Sequence, residues 1–443
     1  MQFDCVQVNG IVIIRQLGKL DTMGTSIKDF RRQQGFTLER EDLRRVADVF
    51  SSEAQRALCG EASSLQMIDS HLFASTSCGC RGTVARPPVI VIDAGGTNLR
   101  VASVRLTEKG PVFAHVRKSE MPGTRGTISA DAFHAAIAAE VDAVRAQEPQ
   151  ASYIGYCFSY ECRSLPDGDA ELVAWSKQID APEVVGQRVG AELARRLKGG
   201  FLPIVVLNDT VATLLAGAVT GGERYPGQIG FILGTGTNLA CIENGTIRNA
   251  ETGECDKVPR TPCDEAFDAT LPDTGAALFE KMVSGAYLGG VGLELLKRAV
   301  ADGVLSGEGL STLTTLTTCE LDAFAAGDSN PANPLSAAIR FEDAETACEI
   351  ARAVFRRAAL LTAAHLAAFV RRSAEAGRSP VRITVDGSTY WRVRSVDFDG
   401  IVRKELAELA PGIPFDVFRI DDAPMVGAAV AAVSVGSRNI KTI

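Results

Sequence analysis

Two short stretches of this 443-residue chain carry the same four residues. Gly96-Thr97-Asn98-Leu99 lies in VIDAGGTNLRVASV and Gly236-Thr237-Asn238-Leu239 in GFILGTGTNLACIE, each between two β-rich apolar runs. Glycine lets a hairpin turn approach an anion closely, and Thr and Asn side chains add donors beside the backbone N–H groups. Two such turns could hold one polyphosphate between two lobes. A GTN tripeptide is also an ordinary hairpin turn, so it is the repetition in one strand-turn-strand setting that points to phosphoryl transfer. A third candidate is Asp209 in IVVLNDTVATLL, where a β-type run stops at Asn208-Asp209-Thr210 and a helical pattern begins. The helix dipole favours a carboxylate there. Such an Asp can be a plain N-cap, or it can be the base that phosphoryl transfer needs, because an acceptor hydroxyl has too high a pKa to ionise unaided.

The elements that must position these residues follow from periodicity. Leu43, Val46, Val49, Phe50 and Leu58 recur at helical spacing between charges, which predicts an amphipathic helix over 38–58. Residues 89–93 and 99–106 read as the strands around the first turn, and 153–159, 204–207 and 381–385 as further strands, the last ending in Asp386-Gly387-Ser388. Helices are expected over 130–146, 181–197, from Val211 onward, through FEKMVSGAYLGGVGLELLKRAV, over 342–376 and over 423–435. His365 shares one face of its helix with Ile350, Val354, Ala358, Leu361 and Phe369, which places it in a core or groove rather than at a reacting centre. Residues 1–35 lack periodicity and are expected to be poorly ordered, 75–88 read as a linker, and 251–273, with three prolines, as a loop. Strands alternating with helices, plus a duplicated turn, predict an α/β architecture in two similar lobes with a binding cleft between them.

Composition narrows the function classes. Hydrophobic residues make up 46% of the chain, ample for buried cores. A formal charge of −8 leaves no electrostatic footprint for nucleic acid, and no such partner is expected. The eleven cysteines are scattered and form no CxxC pair, which suits reduced thiols in the cytoplasm. Cys78-Gly-Cys80 with His71 has the residue types of a zinc site but neither its spacing nor its four ligands. Ile11 to Ile14 is too short for a signal core, and no run reaches the ~18 apolar residues of a membrane span, so no membrane partner is expected.

Taken in order, the motifs resemble the hexokinase family of the eukaryotic hexokinase and glucokinase type, with this chain an atypical member. SSEAQRALCGEASSLQM is similar to the family's early helix and turn, VIDAGGTN to its first phosphate motif, FSYECRSLPDGDAELVAWSKQI to its sugar segment and LNDTVATL to its catalytic motif. GTGTNLACIE, LFEKMVSGAYLG and VDGSTY complete the series. The resemblance implies a two-lobed actin-like ATPase (ribonuclease H-like) α/β fold. Residues 1–85 would pack on the large domain, 86–209 would form the small domain with a C-terminal helix over 428–443, and 210–427 the large domain. It also implies transfer of the γ-phosphoryl group of ATP to the 6-hydroxyl of glucose or a related hexose, with Mg2+, by a cytoplasmic monomer or homodimer.

Residue by residue, Asp209 matches the general base, and Lys177 would stabilise charge on the transferring group. Ser159, Ser176, Lys177, Asn208, Asp209, Asn238, Glu251 and Glu280 match the hexose contacts. Asp93 matches the magnesium carboxylate. Gly95, Gly96, Thr97, Asn98, Arg100 and Thr210 would serve the nucleotide from one lobe, and Gly234, Thr235, Gly236 and Thr237 from the other, together with Gly387, Ser388 and Gly427. Arg100 could equally be an ordinary ion-pair partner. Closure of the lobes on sugar would keep water from acting as acceptor.

The chain also departs from the family. Glu161 replaces a Pro, Thr252 a Trp, and Ala277 a Gln whose lost amide bears on glucose preference. Ala423-Pro424-Met425-Val426 replaces a Gly-Ser-Gly-type turn and a Lys that help bind nucleotide, which bears on the identity of the donor. A kinase for another sugar or polyol and a non-catalytic sugar sensor are the other readings, and retention of Asp209, Asp93, Lys177 and both turns favours a kinase.

Overall fold

The structure, a computed structural model, describes residues 2–8, 11–17, 26–73, 87–175, 179–219, 224–307, 309–328 and 330–439. The strands are β1 (Gln2–Val8), β2 (Ile11–Leu17), β3 (Ile68–Phe73), β4 (Val89–Gly95), β5 (Asn98–Thr107), β6 (Gly110–Glu120), β7 (Ile154–Phe158), β8 (Glu161–Ser164), β9 (Ala170–Ala174), β10 (Ile204–Leu207), β11 (Gly227–Leu233), β12 (Thr237–Glu243), β13 (Thr246–Asn249), β14 (Val381–Asp386) and β15 (Phe415–Arg419). The α-helices are α1 (Ile27–Gln33), α2 (Arg40–Leu58), α3 (Ala130–Gln147), α4 (Val189–Ala194), α5 (Asp209–Ala216), α6 (Pro262–Asp268), α7 (Leu278–Val283), α8 (Leu288–Ala301), α9 (Thr318–Ala325), α10 (Pro334–Ala338), α11 (Ala344–Glu375), α12 (Ser388–Arg392), α13 (Phe398–Leu409) and α14 (Ala423–Asn439).

Two sheets are built on one plan. The first runs β10-β7-β4-β5-β6, and the second runs β15-β14-β11-β12-β13 with β3 added at its edge. In each, three parallel strands continue into antiparallel partners, β4 with β5 in the first sheet and β11 with β12 in the second. The two GTN turns therefore occupy equivalent corners. Residues that follow the parallel strands gather at their carboxyl ends, the usual ligand side of open α/β sheets.

Helices α5 and α14 join the sheets at backbone contact. A Cβ on Gly155 of β7 would lie 2.1 Å from the Ala428 carbonyl of α14, one on Gly427 would lie 1.7 Å from the Ala212 carbonyl of α5, and one on Gly230 of β11 would lie 2.3 Å from the Thr210 carbonyl. No side chain fits at any of the three positions. Sheet, helix, helix and sheet are thus stacked through three glycines.

Helix α11 is the core of the second lobe. By length and composition the helical segment 341–375 could cross a membrane, yet 94% of its apolar window is buried inside the protein. His365 has no exposed surface and sits among Phe50, Phe231, Phe279 and Phe369, with ring centroids 4.5 to 5.6 Å away. Burial pushes its pKa down to about 3, so it is a neutral core residue, as its helical position suggests.

Several expectations are corrected. Within 1–35 the described residues form the antiparallel pair β1 and β2 and helix α1, whose N-cap Ser26 accepts from the Asp29 N–H and whose Phe30 is buried. The helix expected over 181–197 is a 3-10 turn, Pro182–Val184, followed by α4. Gly186, at φ 81°, breaks it. The FEKMVSGAYLGG helix splits into α7 and α8 because the Gly285 N–H donates to the Gly234 carbonyl at 2.8 Å instead of continuing the ladder. The 251–273 loop contains α6, opened by a Thr261/Asp264 capping box with Pro262 in its first turn. Most of the 75–88 linker, with Cys78 and Cys80, lies outside the described residues.

Gly427→Ala forces α14 away from α5. It is expected to cost about 1–3 kcal/mol, the range for overpacking a close contact, and to lower the melting temperature. An unchanged thermal melt would show that the helix contact yields freely.

Candidate active site

The first turn is rigidly framed. Gly95 pairs with Asn98 and Asp93 with Arg100 across the β4–β5 ladder. Gly96 takes φ 60° at the tip, a conformation that glycine adopts readily. The Tyr160 hydroxyl donates to the Gly96 carbonyl at 2.8 Å, and the Ser159 N–H donates to the Ala94 carbonyl at 3.1 Å. Asp93 Oδ1 and Ser159 Oγ both border the space beside Gly95, 3.5 and 3.7 Å from where its Cβ would be. Arg100 donates to Asp93 Oδ2 from Nε at 3.0 Å and Nη2 at 2.6 Å, and to Asp422 Oδ1 from Nη1 at 2.5 Å.

Three loops converge at the second turn. The Gly234 carbonyl accepts from the Gly285 N–H and from Thr389 Oγ1, both at 2.8 Å. Gly387 holds φ 122°, and a Cβ there would stand 2.2 Å from the Leu233 carbonyl. Gly236 serves a different neighbour: its missing Cβ admits Glu280 Oε2, 2.4 Å from that position, which accepts the Thr237 N–H at 2.7 Å.

A polar ladder runs from α5 to the Glu251 turn. Asn208 caps α5 by accepting the Thr210 N–H at 2.8 Å and the Thr210 hydroxyl at 2.6 Å. Thr210 Oγ1 lies 3.2 Å from Asn249 Oδ1, which accepts from Asn238 Nδ2 at 2.8 Å. Glu251 accepts from Asn249 at 2.6 Å and from Asn238 at 3.2 Å. It takes φ 51°, which turns the chain into the 3-10 segment Thr252–Glu254. Asp209 opens α5, with Oδ1 2.9 Å from the Thr210 N–H.

The carboxylates feel one another. Burial pushes the Glu251 carboxyl up to about 7, against the Asn249 hydrogen bond, and the charges of Asp209, Glu254 and Glu280 add to the rise. Burial also raises the Asp386 carboxyl, opposed by the Gly387 N–H and by Arg100, while the charges of Asp209 and Asp93 reinforce it. Asp209 is therefore the common neighbour of Glu251 on one side and Asp386 on the other. No group of three or more His, Cys, Asp or Glu side chains placed to hold a metal occurs among the described residues. Asp93 and Asp386 are nevertheless hard oxygen ligands facing one region, which fits Mg2+ carried with phosphates, an ion that needs only one or two protein carboxylates.

Comparison with known proteins agrees with this geometry. Two family models described as hexokinase match residues 27–219 and 228–434. The chain belongs to the hexokinase family. It is 31% identical over 300 residues to hexokinase-1 of Schizosaccharomyces pombe, covering 61% of this chain and 59% of that protein. It is 28% identical over 433 residues to hexokinase-3 of Homo sapiens, covering 89% of this chain and 46% of that protein. The chain thus spans about half the length of these curated relatives. A Schistosoma mansoni hexokinase structure solved in complex with glucose superposes with a TM-score of 0.77 at 25% identity, covering 92% of this chain and 98% of that one. A second hexokinase crystal structure gives a TM-score of 0.79 at 25% identity, covering 92% and 99%. The two-lobed actin-like ATPase fold of hexokinases is accordingly the fold of this chain.

Most of the residues matched to hexokinase motifs come together. Asp93, Gly95, Gly96, Thr97, Asn98 and Arg100 lie on the first corner, Gly234 to Asn238 with Gly387 and Ser388 on the second, and Asn208, Asp209, Thr210, Glu251 and Glu280 between them. Ser176 and Lys177 lie outside the described residues. The bare Cα face of Gly427 is taken up by the Ala212 carbonyl, so a glycine there also serves the packing of α14 on α5. Arg100 makes the carboxylate pairs that were its alternative reading. Motif reading left out Asn249, Asp386, Asp422 and Glu254, whose Oε2 accepts the Ala277 N–H at 3.0 Å. Asp386 alone had a readable signal, a carboxylate ending a strand directly before Gly387.

With its pKa near 7 in the folded protein and 4.5 as the reference value, Glu251 holds its proton more tightly when folded. Its contribution to stability is therefore complete below about pH 4.5 and is lost as pH rises through about 7. Relative to Glu251→Gln, the wild-type protein is expected to lose a few degrees of melting temperature between about pH 5 and about pH 8. A pH-independent difference between the two melts would contradict the assignment.

Proposed function

We propose that this chain is an ATP-dependent hexose kinase that transfers the γ-phosphoryl group to the 6-hydroxyl of glucose or a related hexose, with Asp209 as general base. The observation that carries the reading is the place of Asp209, electrostatically coupled both to Glu251 on the acceptor side and to Asp386 beside the first turn. The glucose complex of the Schistosoma mansoni hexokinase makes glucose the first acceptor to test.

In this reading Asn208, Asn238, Glu251 and Glu280 hold the ring hydroxyls, with Ser159 on the other lobe, and Ser176 and Lys177 are added on the motif resemblance alone. Asp209 accepts the proton of the 6-hydroxyl as the new O–P bond forms and the bond to the departing ADP breaks. The two Gly/Thr turns present backbone N–H groups to the phosphates, with Arg100, Gly387 and Ser388 beside them. Magnesium bound with the nucleotide, through Asp93 and Asp386, would neutralise phosphate charge. Residues 86–209 and 210–427 are the lobes that close, α5 and α14 being the joint between them. The scattered thiols suit a cytoplasmic setting.

Asp209→Asn is expected to bind hexose nearly as well as the wild type and to lower turnover by a factor on the order of 100 or more. ADP release with Mg-ATP across glucose, mannose, fructose, galactose, glucosamine and glycerol would name the acceptor. Near-normal turnover in the variant would remove Asp209 from the role of base.

A further inference from the structure

Arg100 is held between two carboxylates that differ in how firmly they are placed. Asp93 lies directly across the β4–β5 ladder, its side chain is only 13% exposed, and it takes two of the guanidinium's donors. Asp422 comes from the segment just before α14, its side chain is 46% exposed, and it takes the remaining nitrogen, Nη1. The Arg100 side chain is 26% exposed. One positive charge between two negative ones leaves the trio with a net charge of −1. An incoming phosphate therefore meets repulsion where a lone arginine would attract it.

Asp422 also has a second favourable neighbour. Its carbonyl accepts the Val426 N–H at 3.0 Å, so it sits at the N-terminal mouth of the 17-residue helix α14. The positive end of that dipole stabilises a carboxylate whether or not Arg100 is bonded to it. Releasing Arg100 from Asp422 is thus less costly than releasing it from Asp93. The segment that supplies Asp422 leads straight into α14, whose first residues here are Ala423-Pro424-Met425-Val426.

The geometry points to Asp422 as a latch on the nucleotide side: its carboxylate neutralises Arg100 and must give it up when a Mg-bound nucleoside triphosphate enters. Asp422 is a positioning residue, acting through Arg100 and not on the reacting atoms. The inference rests on the donor site proposed above. It sets affinity for the donor rather than the rate of transfer.

The test is calorimetric titration of Mg-ATP into the full-length protein and into Asp422→Asn, Asp422→Glu, Arg100→Ala and the Arg100→Ala/Asp422→Asn double variant, with hexose kinetics in parallel. Asp422→Asn is expected to tighten Mg-ATP binding about two- to five-fold, the scale of a partly exposed ion pair, and to lower KM for Mg-ATP by the same ratio without a matching rise in kcat. Asp422→Glu should behave as the wild type, and adding Asp422→Asn to Arg100→Ala should change nothing further. Unchanged or weaker binding in Asp422→Asn would overturn the latch, and so would an equal gain in the Arg100→Ala background. If the wild type binds Mg-ATP and phosphorylates hexose but these patterns fail, only the latch is lost. If no variant binds Mg-ATP while hexose still binds, the kinase reading falls with it.

Discussion

The approach of helix α14 to helix α5 without intervening side chains is the contact on which the rest of the molecule depends. Gly155, Gly427 and Gly230 let β7, α14, α5 and β11 meet backbone to backbone, so each sheet is fixed to the other through two helices. Helix α5 starts at Asp209 directly after the Asn208 cap, and the same helix that joins the sheets therefore aims the Asp209 carboxylate, the proposed base. The glycines are there for space, since none of the three takes a positive φ.

The second constraint is electrostatic. Asp93, Asp209, Glu251, Glu280, Asp386 and Asp422 surround one region, yet among the described residues the cation placed there is Arg100, already bonded to two of them. Burial, reinforced by neighbouring carboxylates, raises the carboxyls of Glu251 and Asp386 there. In the proposed reading a neutral polyol donates hydroxyls to Glu251 and its neighbours, and a nucleotide brings its own cation to the carboxylates. The ladder Asn208–Thr210–Asn249–Asn238–Glu251 preorganises the start of α5 and the Glu251 turn through side-chain hydrogen bonds.

What the sequence disclosed was what local chemistry specifies. The GTN repeat, the Asn-Asp-Thr strand stop and the helical faces around Phe50 and His365 all fall where their patterns placed them, because alternation, capping and periodicity act within a few residues. Helix α6 was missed although Thr261-Pro262 and Asp264 write its cap plainly, the surrounding prolines having been read as loop. The resemblance places Gly427 and Gly236 at the nucleotide, and long-range packing against Ala212 and Glu280 adds a second reason for glycine at each. Asn249 and Asp422 were invisible because their partners lie 11 and 322 residues away and no local pattern announces such a pairing.

Product analysis after mixing the purified protein with Mg-ATP and glucose tests the central claim most directly. The account predicts ADP and a hexose phosphorylated on its 6-hydroxyl in equal amounts. Glucose that binds but leaves no phosphorylated sugar, or ADP formed without one, would contradict it.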